Sequence, residues 1–378
     1  MDDYWIAPTH LFDGDKLHAG MAVWISNGTL TKVADLGDVP AGAAMVRVDG
    51  ILSPGFVDLQ VNGGGGVLLN QTPTVAGMAA IAAAHRTTGT VAILPTVITD
   101  AAEVLEQVAD AAIAARGQTG IAGLHIEGPH IAEARRGTHA AQFVRPMDEG
   151  TLTLVRRVTD AQVPVMLTLA PEAATAGQIS ALREMGVVVS IGHSDATAAQ
   201  THAALAAGAG CFTHLFNAMS PMLNRSAGVV GAAINSDAYC GIICDGHHVA
   251  DEMLALAIRA RPVTDRMFLV SDAMPTVAGP PSFDLYGQTV ALKNGKLVND
   301  EGSLAGAHVT QLDGVARLVS HVGLTQAQAL RMAITVPAAV MSQPHLAQLT
   351  GRPVSDAIVL SDTLDRLHPL PAPSAIAS

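Results

Sequence analysis

The chain of 378 residues has few cysteines and few charged side chains, and each shortage excludes certain kinds of protein. Its three cysteines, Cys211, Cys240 and Cys244, are too few and too unevenly spaced for a disulfide framework or a zinc knuckle. Charged residues make up 14% of the chain and hydrophobic residues 49%, which indicates a large buried core. The net charge of −12 repels phosphate-rich polymers and disfavours nucleic acid as a partner.

Signals for export, membrane insertion and nucleotide binding are also missing. Residues 1–5 lack the basic region of a signal peptide, and the uncharged run at residues 59–85 is interrupted by Asn62, Asn70 and Pro73. The glycines at residues 63–66 match neither G-x-G-x-x-G nor the P-loop pattern, and the chain has no G-x-S-x-G nucleophile elbow. We therefore expect a cytoplasmic protein without a membrane partner.

Eight short apolar segments alternate with alanine-rich segments of helical character. Continuous apolar runs of this length are typical of strands buried on both faces of a parallel sheet. Their alternation with helices over residues 51–273 predicts an α/β fold, a (β/α)8 barrel of the TIM type. The eight segments are residues 51–61, 90–98, 121–129, 164–171, 187–193, 210–217, 239–246 and 267–273.

Strand-like runs outside the barrel predict a second, smaller domain. The pair Asn27-Gly28 joins two such runs near the start of the chain as a hairpin, and residues 352–362 resemble another strand. A β insertion is predicted near residues 283–300, with Asn294-Gly295 as its turn. The predicted domains are a small β-sandwich of residues 1–49 and 352–378, and a catalytic barrel of residues 50–351.

Polar side chains stand at the C-terminal ends of most predicted barrel strands, where barrel enzymes carry their catalytic residues. A single His at a strand end is more often a hydrogen-bonded structural residue, but several His and carboxylates at one barrel mouth predict a metal site. The residues, in strand order, are Asp58, Gln60, Asn62, His125, Glu127, His193, His214, Asn217, Asp245, His248 and Asp272.

Glu127, His193 and His214 offer one carboxylate and two imidazoles. That set suits catalytic Zn²⁺ with a fourth position open to water, and Fe²⁺, Co²⁺ and Mn²⁺ accept the same donors. Asp272 ends the last strand, and the residues alone leave two roles open for it. It is either a general base for the water or a structural cap or ion-pair partner.

Eight motifs follow one another along the chain: PGFVDLQVNG (54–63), LHIEGPH (124–130), RGTHAAQFVR (136–145), GHSDAT (192–197), THLFNAMSPM (213–222), YCGIICDGHHV (239–249), VSDAMP (270–275) and SLAGA (303–307). In these motifs the chain resembles the N-acetylglucosamine-6-phosphate deacetylases of the amidohydrolase superfamily, over essentially its whole length. The resemblance implies a metal-dependent hydrolase barrel that converts N-acetyl-D-glucosamine 6-phosphate to D-glucosamine 6-phosphate and acetate, in amino-sugar catabolism and cell-wall sugar recycling.

The resemblance also implies a role for each matching residue. Glu127, His193 and His214 correspond to metal ligands, and Asp272 corresponds to the catalytic acid and base. His139 corresponds to a residue that contacts the substrate and helps to polarise the acetyl carbonyl. The further implied substrate contacts are Asn217 and Ala218 through their backbone groups, His248 on the phosphate, and Arg225, which in a homodimer reaches the phosphate in the neighbouring subunit.

Two positions depart from the pattern of the superfamily. Most members carry His-x-His at the end of the first strand, where this chain has Gln60 and Asn62. We therefore expect a vestigial second site and one divalent metal ion per subunit. His130 stands where the family usually has an apolar or aromatic residue, and we expect it to face solvent. His125 is either a neighbour of the metal ligands or an ordinary core histidine.

Two other functions compete with this interpretation. One is a related deacylase, such as an N-acetylgalactosamine-6-phosphate deacetylase, whose barrel mouth would be nearly identical. The other is a non-catalytic barrel that binds a sugar phosphate. The latter has no need for the set Glu127, His193, His214 and Asp272, which disfavours it.

Overall fold

Eight parallel strands form a barrel at the centre of the structure, a computed structural model that describes residues 3–299, 302 and 304–370. Neighbouring strands pair in the order of the sequence, from the first to the eighth. The predicted barrel is therefore confirmed, and each strand lies within the segment predicted for it. The strands are Phe56–Val61, Thr90–Ile98, Leu124–Glu127, Val165–Leu169, Val188–Ile191, Cys211–Phe212, Tyr239–Ile242 and Met267–Leu269.

The first and eighth barrel strands meet through a few polar contacts instead of a regular ladder. The backbone N–H of Asp272 donates to the carbonyl oxygen of Gln60 over 3.0 Å. The buried carboxylate of Asp58 accepts hydrogen bonds from the backbone N–H groups of Gln60 and Ser271, each over 3.2 Å. Asp58 therefore ties the first strand to the segment that leads from the eighth strand to Asp272.

A separate eight-stranded sheet is built from both ends of the chain. Its main apolar cluster includes Tyr4, Ile6, Leu52 and Val359, so the two ends share one core. Its strands are Tyr4–Phe12, Leu17–Ala19, Met21–Ser26, Thr29–Asp35, Met45–Pro54, Arg352–Pro353, Ala357–Leu360 and Leu367–His368.

The apolar run at residues 51–61, which the sequence presents as one strand, is two strands. Met45–Pro54 belongs to the terminal sheet and crosses the domain boundary predicted at residue 50, and the barrel begins at Phe56. Gly55 lies between them because a Cβ there would approach the side chain of Val91 to 2.2 Å. Residues 1–2 and 371–378 of the predicted small domain lie outside the described residues.

Both predicted Asn-Gly turns are present. Asn27 and Gly28 have φ of 50° and 73°, and Asn294 and Gly295 have φ of 53° and 79°, as a type I′ hairpin turn requires. The second turn belongs to a small three-stranded sheet, and a two-stranded hairpin follows the first barrel strand. The strands of these two sheets are Ser282–Leu285, Gln288–Lys293, Lys296–Val298, Gly63–Gly64 and Val67–Leu68. Residue 300, the last of the predicted insertion, lies outside the described residues.

Helices connect the barrel strands, and side-chain caps begin several of them. Thr325 and Gln328, for example, form a capping box at the start of Gln326–Ala333. Among the described residues, every helix is too short or too polar to cross a lipid bilayer. The helices are Val75–Arg86, Ala102–Ala114, Glu149–Asp160, Ala176–Glu184, Ala198–Ala207, Gly228–Ile234, Asp251–Ala260, Gln311–Ser320, Gln326–Ala333 and Thr335–Val340.

The contacts of Asp58 predict a measurable loss of stability when its carboxylate is removed. Asp58→Ala leaves two buried N–H groups without their acceptor, and we expect the free energy of unfolding to fall by roughly 2–4 kcal/mol. Asp58→Asn keeps one acceptor oxygen and should lose less than half as much. The exposed Asp49→Ala is the control and should stay within about 0.5 kcal/mol of the parent chain. Urea unfolding measures all three, and equal losses for Asp58→Ala and Asp49→Ala would contradict this role.

Candidate metal and catalytic site

A cavity of about 170 Å³ opens at the C-terminal ends of the barrel strands, where the sequence places the site. Ile98, Met274 and Leu304 supply apolar parts of its wall. Most of the predicted site residues also line this cavity: Asn62, Glu127, His139, His193, His214, Asn217, Ala218, His248 and Asp272.

Three buried side chains meet in a tight triangle at the floor of this cavity. Oε1 of Glu127 lies 3.0 Å from Nε2 of His214 and 3.2 Å from Nε2 of His193, and the two nitrogens are 3.1 Å apart. Separations of about 3 Å are those of donor atoms that share one ion with bonds of about 2 Å. The Glu/His cluster therefore indicates a site for a divalent metal ion.

A hydrogen bond behind His193 leaves its Nε2 in the state that a metal ion requires. Nδ1 of His193 lies 2.9 Å from the carbonyl oxygen of Arg135. Because a carbonyl only accepts, Nδ1 carries the proton and the lone pair of Nε2 points into the triangle. Burial acts to raise the pKa of Glu127, but the adjacent side chains of His193 and His214 outweigh it and hold that pKa well below its ordinary value. The residues present therefore fit a metal ion.

His139 approaches the triangle from one side. Single ligand atoms of Glu127, His139 and His193 lie within 4.8 Å of one another, and the ring centre of His139 is 4.4 Å from that of His193. Burial, with a smaller contribution from His193, lowers the pKa of His139 to about 3, so its imidazole is neutral. By distance alone, His139 fits either a further ligand or a hydrogen-bond donor to a bound molecule.

Asp272 is held by two side-chain amides at the end of the first barrel strand. Nδ2 of Asn62 donates to Oδ1 of Asp272 over 2.7 Å, and Nε2 of Gln60 donates to the same oxygen over 3.2 Å. Nε2 of Gln60 also donates to Oε1 of Glu127 over 3.0 Å. Burial and the negative charge of Glu127 raise the pKa of Asp272 to about 6. The amides thus act as hydrogen-bond donors between two carboxylates.

The backbone is strained at three of the central residues. His193, His214 and Asp272 have φ of 48°, 27° and 51°, in the left-handed region that side-chain-bearing residues seldom adopt. Such conformations cost of the order of 1–3 kcal/mol each and persist only where the surrounding structure enforces them. The three strained residues lie just beyond the fifth, sixth and eighth strands, and their side chains line one cavity.

A second pair of polar side chains stands at the cavity wall beyond the seventh strand. Oδ2 of Asp245 lies 2.7 Å from Nδ1 of His248, and Oδ1 accepts the backbone N–H of the same residue over 2.9 Å. Burial acts to raise the pKa of Asp245, but the His248 contacts outweigh it and lower that pKa to about 2. Asp245 therefore stays charged and fixes the ring that faces the cavity.

Arg225 is not among the residues that line the cavity. It lies in the exposed loop at residues 221–227, where Met222 and Leu223 are 43% and 60% exposed. One chain by itself therefore does not bring Arg225 to the other predicted site residues.

Two histidines of the sequence motifs are core residues. The prediction that His130 faces solvent is wrong. Its side chain is fully buried, with Nε2 2.9 Å from the hydroxyl of Thr151 and Nδ1 3.1 Å from the carbonyl oxygen of Arg145. Residues that follow Pro129 in the chain, Arg145 and Thr151, cover His130. The course of this loop cannot be read from the sequence. His125 lies inside the barrel with Nε2 2.8 Å from Thr168 Oγ1, as an ordinary hydrogen-bonded core histidine does.

Two groups at the site escaped the sequence analysis. They are the carbonyl oxygen of Arg135, which orients His193, and the hydroxyl of Thr99, which lies 2.7 Å from Nδ1 of His139. A backbone carbonyl leaves no signal in a sequence. Thr99 directly follows the second barrel strand, so the rule applied to the other strand ends could have identified it.

Comparisons with known proteins agree with this geometry. No family model matches the chain. The chain is 39% identical over 317 residues to the N-acetylgalactosamine-6-phosphate deacetylase of Shewanella sp. (strain ANA-3), covering 83% of this chain and 80% of that protein. It is 31% identical over 329 residues to the N-acetylglucosamine-6-phosphate deacetylase of Haemophilus influenzae, covering 84% of each.

Solved structures of these deacetylases also resemble this chain. The crystal structure of the N-acetylglucosamine-6-phosphate deacetylase from Pasteurella multocida superposes with a TM-score of 0.89 at 30% identity, covering 96% of each chain. The likeness therefore includes both the barrel and the sheet built from the chain ends. The chain belongs to the family of N-acetylglucosamine- and N-acetylgalactosamine-6-phosphate deacetylases, which are hydrolases.

Proposed function

We propose that this chain removes the acetyl group from N-acetyl-D-glucosamine 6-phosphate and releases D-glucosamine 6-phosphate and acetate. The observation that carries the proposal is the triangle of Glu127, His193 and His214, which lines the same cavity as Asp272. The names of the relatives support the substrate class, a phosphorylated N-acetyl amino sugar. The reaction belongs to amino-sugar metabolism.

We assign Glu127, His193 and His214 as the ligands of one divalent metal ion per subunit. Two imidazoles and one carboxylate suit Zn²⁺, and Fe²⁺, Co²⁺ and Mn²⁺ accept the same donors. When bound, such an ion polarises the carbonyl of the substrate and lowers the pKa of water. Gln60 and Asn62 support this assignment of a single ion, because where the resemblance implies imidazole ligands of a second ion they present amide N–H groups that donate to Glu127 and Asp272.

Asp272 carries the proton in this proposal. Its carboxylate takes a proton from the attacking water as the C–O bond forms, and passes it to the nitrogen as the C–N bond breaks. Asn62 and Gln60 both donate to Oδ1, which leaves Oδ2, among the described residues, as the oxygen for that proton. His139 donates a hydrogen bond to the acetyl oxygen, where negative charge develops.

The phosphate end of the substrate lies farther out in the cavity. His248, oriented by Asp245, binds the phosphate, with Asn217 and Ala218 beside the sugar. We infer that the partner subunit's Arg225 completes this site in a homodimer, since a guanidinium offers paired donors to phosphate. The exposed apolar side chains of Met222 and Leu223 in the same loop support a contact between subunits.

N-acetyl-D-galactosamine 6-phosphate is the second candidate substrate. The relative with 39% identity is a galactosamine enzyme, whereas the glucosamine enzyme of Haemophilus influenzae has 31%. The two sugars differ only in the direction of one hydroxyl group. The proposed metal ion, the proton carrier and the phosphate contacts would serve both sugars equally.

Release of acetate from the two phosphorylated sugars tests the proposal directly. Both should be assayed side by side, since the higher kcat/KM identifies the preferred epimer. A chelator should abolish the release, and a single divalent metal should restore it, with about one equivalent bound per chain. No chelator-sensitive release from either sugar would favour a binding protein without catalysis. Two tightly bound equivalents would show that Gln60 and Asn62 do not block a second site.

Asp272→Asn separates proton transfer from binding. The amide keeps the shape of the side chain but cannot take a proton, so we expect turnover to fall by roughly 10²–10⁴-fold. Metal content and the Kd for substrate should stay close to those of the parent enzyme. The exposed Asp49→Asn serves as the control for the same chemical change. Turnover near that of the parent would remove Asp272 from the mechanism.

Arg225→Ala tests the phosphate contact across the subunit interface. Loss of a charge-assisted hydrogen bond should raise KM for the phosphorylated sugar by roughly 10- to 100-fold, with a smaller change in kcat. Arg259→Ala, at an exposed position on the helix Asp251–Ala260, is the control. An unchanged KM, or a chain that is monomeric while fully active, would contradict the role of Arg225.

A further inference from the structure

One side of the cavity is an apolar sector, formed by Ile98, Met274 and Leu304. Ile98 ends the second barrel strand, and Met274 lies beyond the eighth. Both side chains are almost fully buried, whereas Leu304 is partly open to solvent. Thr99, the residue after Ile98, has its Oγ1 2.7 Å from Nδ1 of His139, so the sector adjoins the proposed contact to the acetyl oxygen. The mechanism proposed above assigns nothing to these apolar side chains.

Packing from behind holds the apolar sector in place. Ile98 and Met274 belong to one buried cluster with Leu285 and Leu297 of the small three-stranded sheet. Gly306 lines the cavity beside Met274, and a Cβ there would approach Cγ of Met274 to 2.6 Å. The glycine therefore leaves the space that the methionine side chain fills. The small sheet supports this wall of the cavity, so a bound group meets side chains that have little room to move.

The apolar sector lies across the barrel mouth from a polar one. The eight strands follow one another around the barrel in the order of the sequence, so the second strand stands opposite the sixth. Asn217 and Ala218 line the cavity beyond the sixth strand, and His248 lines it beyond the seventh. Sugar hydroxyl and phosphate groups lose hydrogen bonds when they are buried against apolar side chains. The sugar phosphate therefore belongs on the side of His248, away from Ile98.

The shape of the substrate amide divides the molecule between these two sectors. A secondary amide is planar and almost always trans, so its acyl carbon chain and the sugar carbon on its nitrogen point to opposite ends of the group. In the proposed mechanism His139 contacts the carbonyl oxygen and Asp272 serves the nitrogen, which places the amide between the sectors. With the sugar phosphate directed toward His248, the methyl group of the acetyl points toward Ile98 and Met274.

We propose that Ile98 and Met274 form the acyl subsite of this enzyme and restrict its substrates to short N-acyl groups such as acetyl. The inference rests on the proposed function and deepens it, because it names which end of the substrate each sector of the cavity selects. Burial of the methyl group against apolar atoms is favourable. A longer acyl chain needs space that the two packed side chains already fill, so it is rejected by its size.

Met274→Ala and Met274→Leu form a matched pair for the kinetic test, with N-acetyl- and N-butyryl-D-glucosamine 6-phosphate as substrates. In the parent, kcat/KM for the acetyl compound should exceed that for the butyryl compound by at least roughly 10- to 200-fold, the range for one misfitting methylene group. Alanine opens the subsite, so the ratio of butyryl to acetyl kcat/KM should rise by roughly 10- to 200-fold. Leucine keeps nearly the same volume, and its ratio should stay within about threefold of the parent.

The ratio of two substrates in one preparation does not depend on how much of the protein is folded, so a destabilised variant still gives a result. Met253→Ala removes the same atoms from an exposed position on the helix Asp251–Ala260 and should leave the ratio unchanged. A parent that accepts both acyl groups equally would overturn the proposal. So would a Met274→Ala variant whose ratio is that of the parent, or whose KM changes equally for both sugars.

Calorimetric binding of the same two sugars to Asp272→Asn protein loaded with Zn²⁺ reads the acyl subsite without turnover. The Kd for the butyryl compound should exceed that for the acetyl compound, and adding Met274→Ala should narrow this gap by roughly tenfold or more. An unchanged gap would overturn the proposal. If the parent releases neither acetate nor butyrate, the proposed function fails, while the two Kd values still decide the acyl subsite. If neither sugar binds, both proposals fail.

Discussion

The site depends on a buried carboxylate oxygen in contact with two imidazole nitrogens. Oε1 of Glu127 and the Nε2 atoms of His193 and His214 lie 3.0–3.2 Å apart with almost no solvent access. A buried charge is costly unless hydrogen bonds or a cation compensate it. The amide of Gln60 donates to Oε1 of Glu127 and meets part of that demand. The carbonyl oxygen of Arg135 accepts from His193 and fixes the direction of its ring.

The barrel provides the rigidity that this arrangement needs. His193, His214 and Asp272 adopt left-handed backbone conformations just after strands that are paired on both sides or tied to a neighbour. Asp58 secures the junction between the first and eighth strands, only two residues before Gln60 and close in space to Asp272. The same carboxylate therefore closes the barrel and holds the segment that carries the proposed base.

The side-chain amides at positions 60 and 62 act on the two carboxylates of the site. Imidazoles there would compete for a cation, whereas Gln60 and Asn62 place neutral donors beside Glu127 and Asp272. Donors between two carboxylates reduce their mutual repulsion and keep both in place. The raised pKa of Asp272, about 6, comes from burial and from the charge of Glu127. A carboxyl group with such a pKa both accepts and returns a proton near neutral pH.

The barrel, both Asn-Gly turns and the convergence of Glu127, His193, His214 and Asp272 could be predicted from the sequence, because apolar periodicity and strand-end position follow directly from residue order. It did not separate the strand that ends at Pro54 from the one that begins at Phe56, since both are equally apolar. The burial of His130, the position of Arg225 away from the cavity and the contacts of Thr99 with His139 and of the Arg135 carbonyl with His193 emerge from the folded chain alone. These outcomes depend on the path of loops between strands, and that path is set by packing against residues distant in the chain.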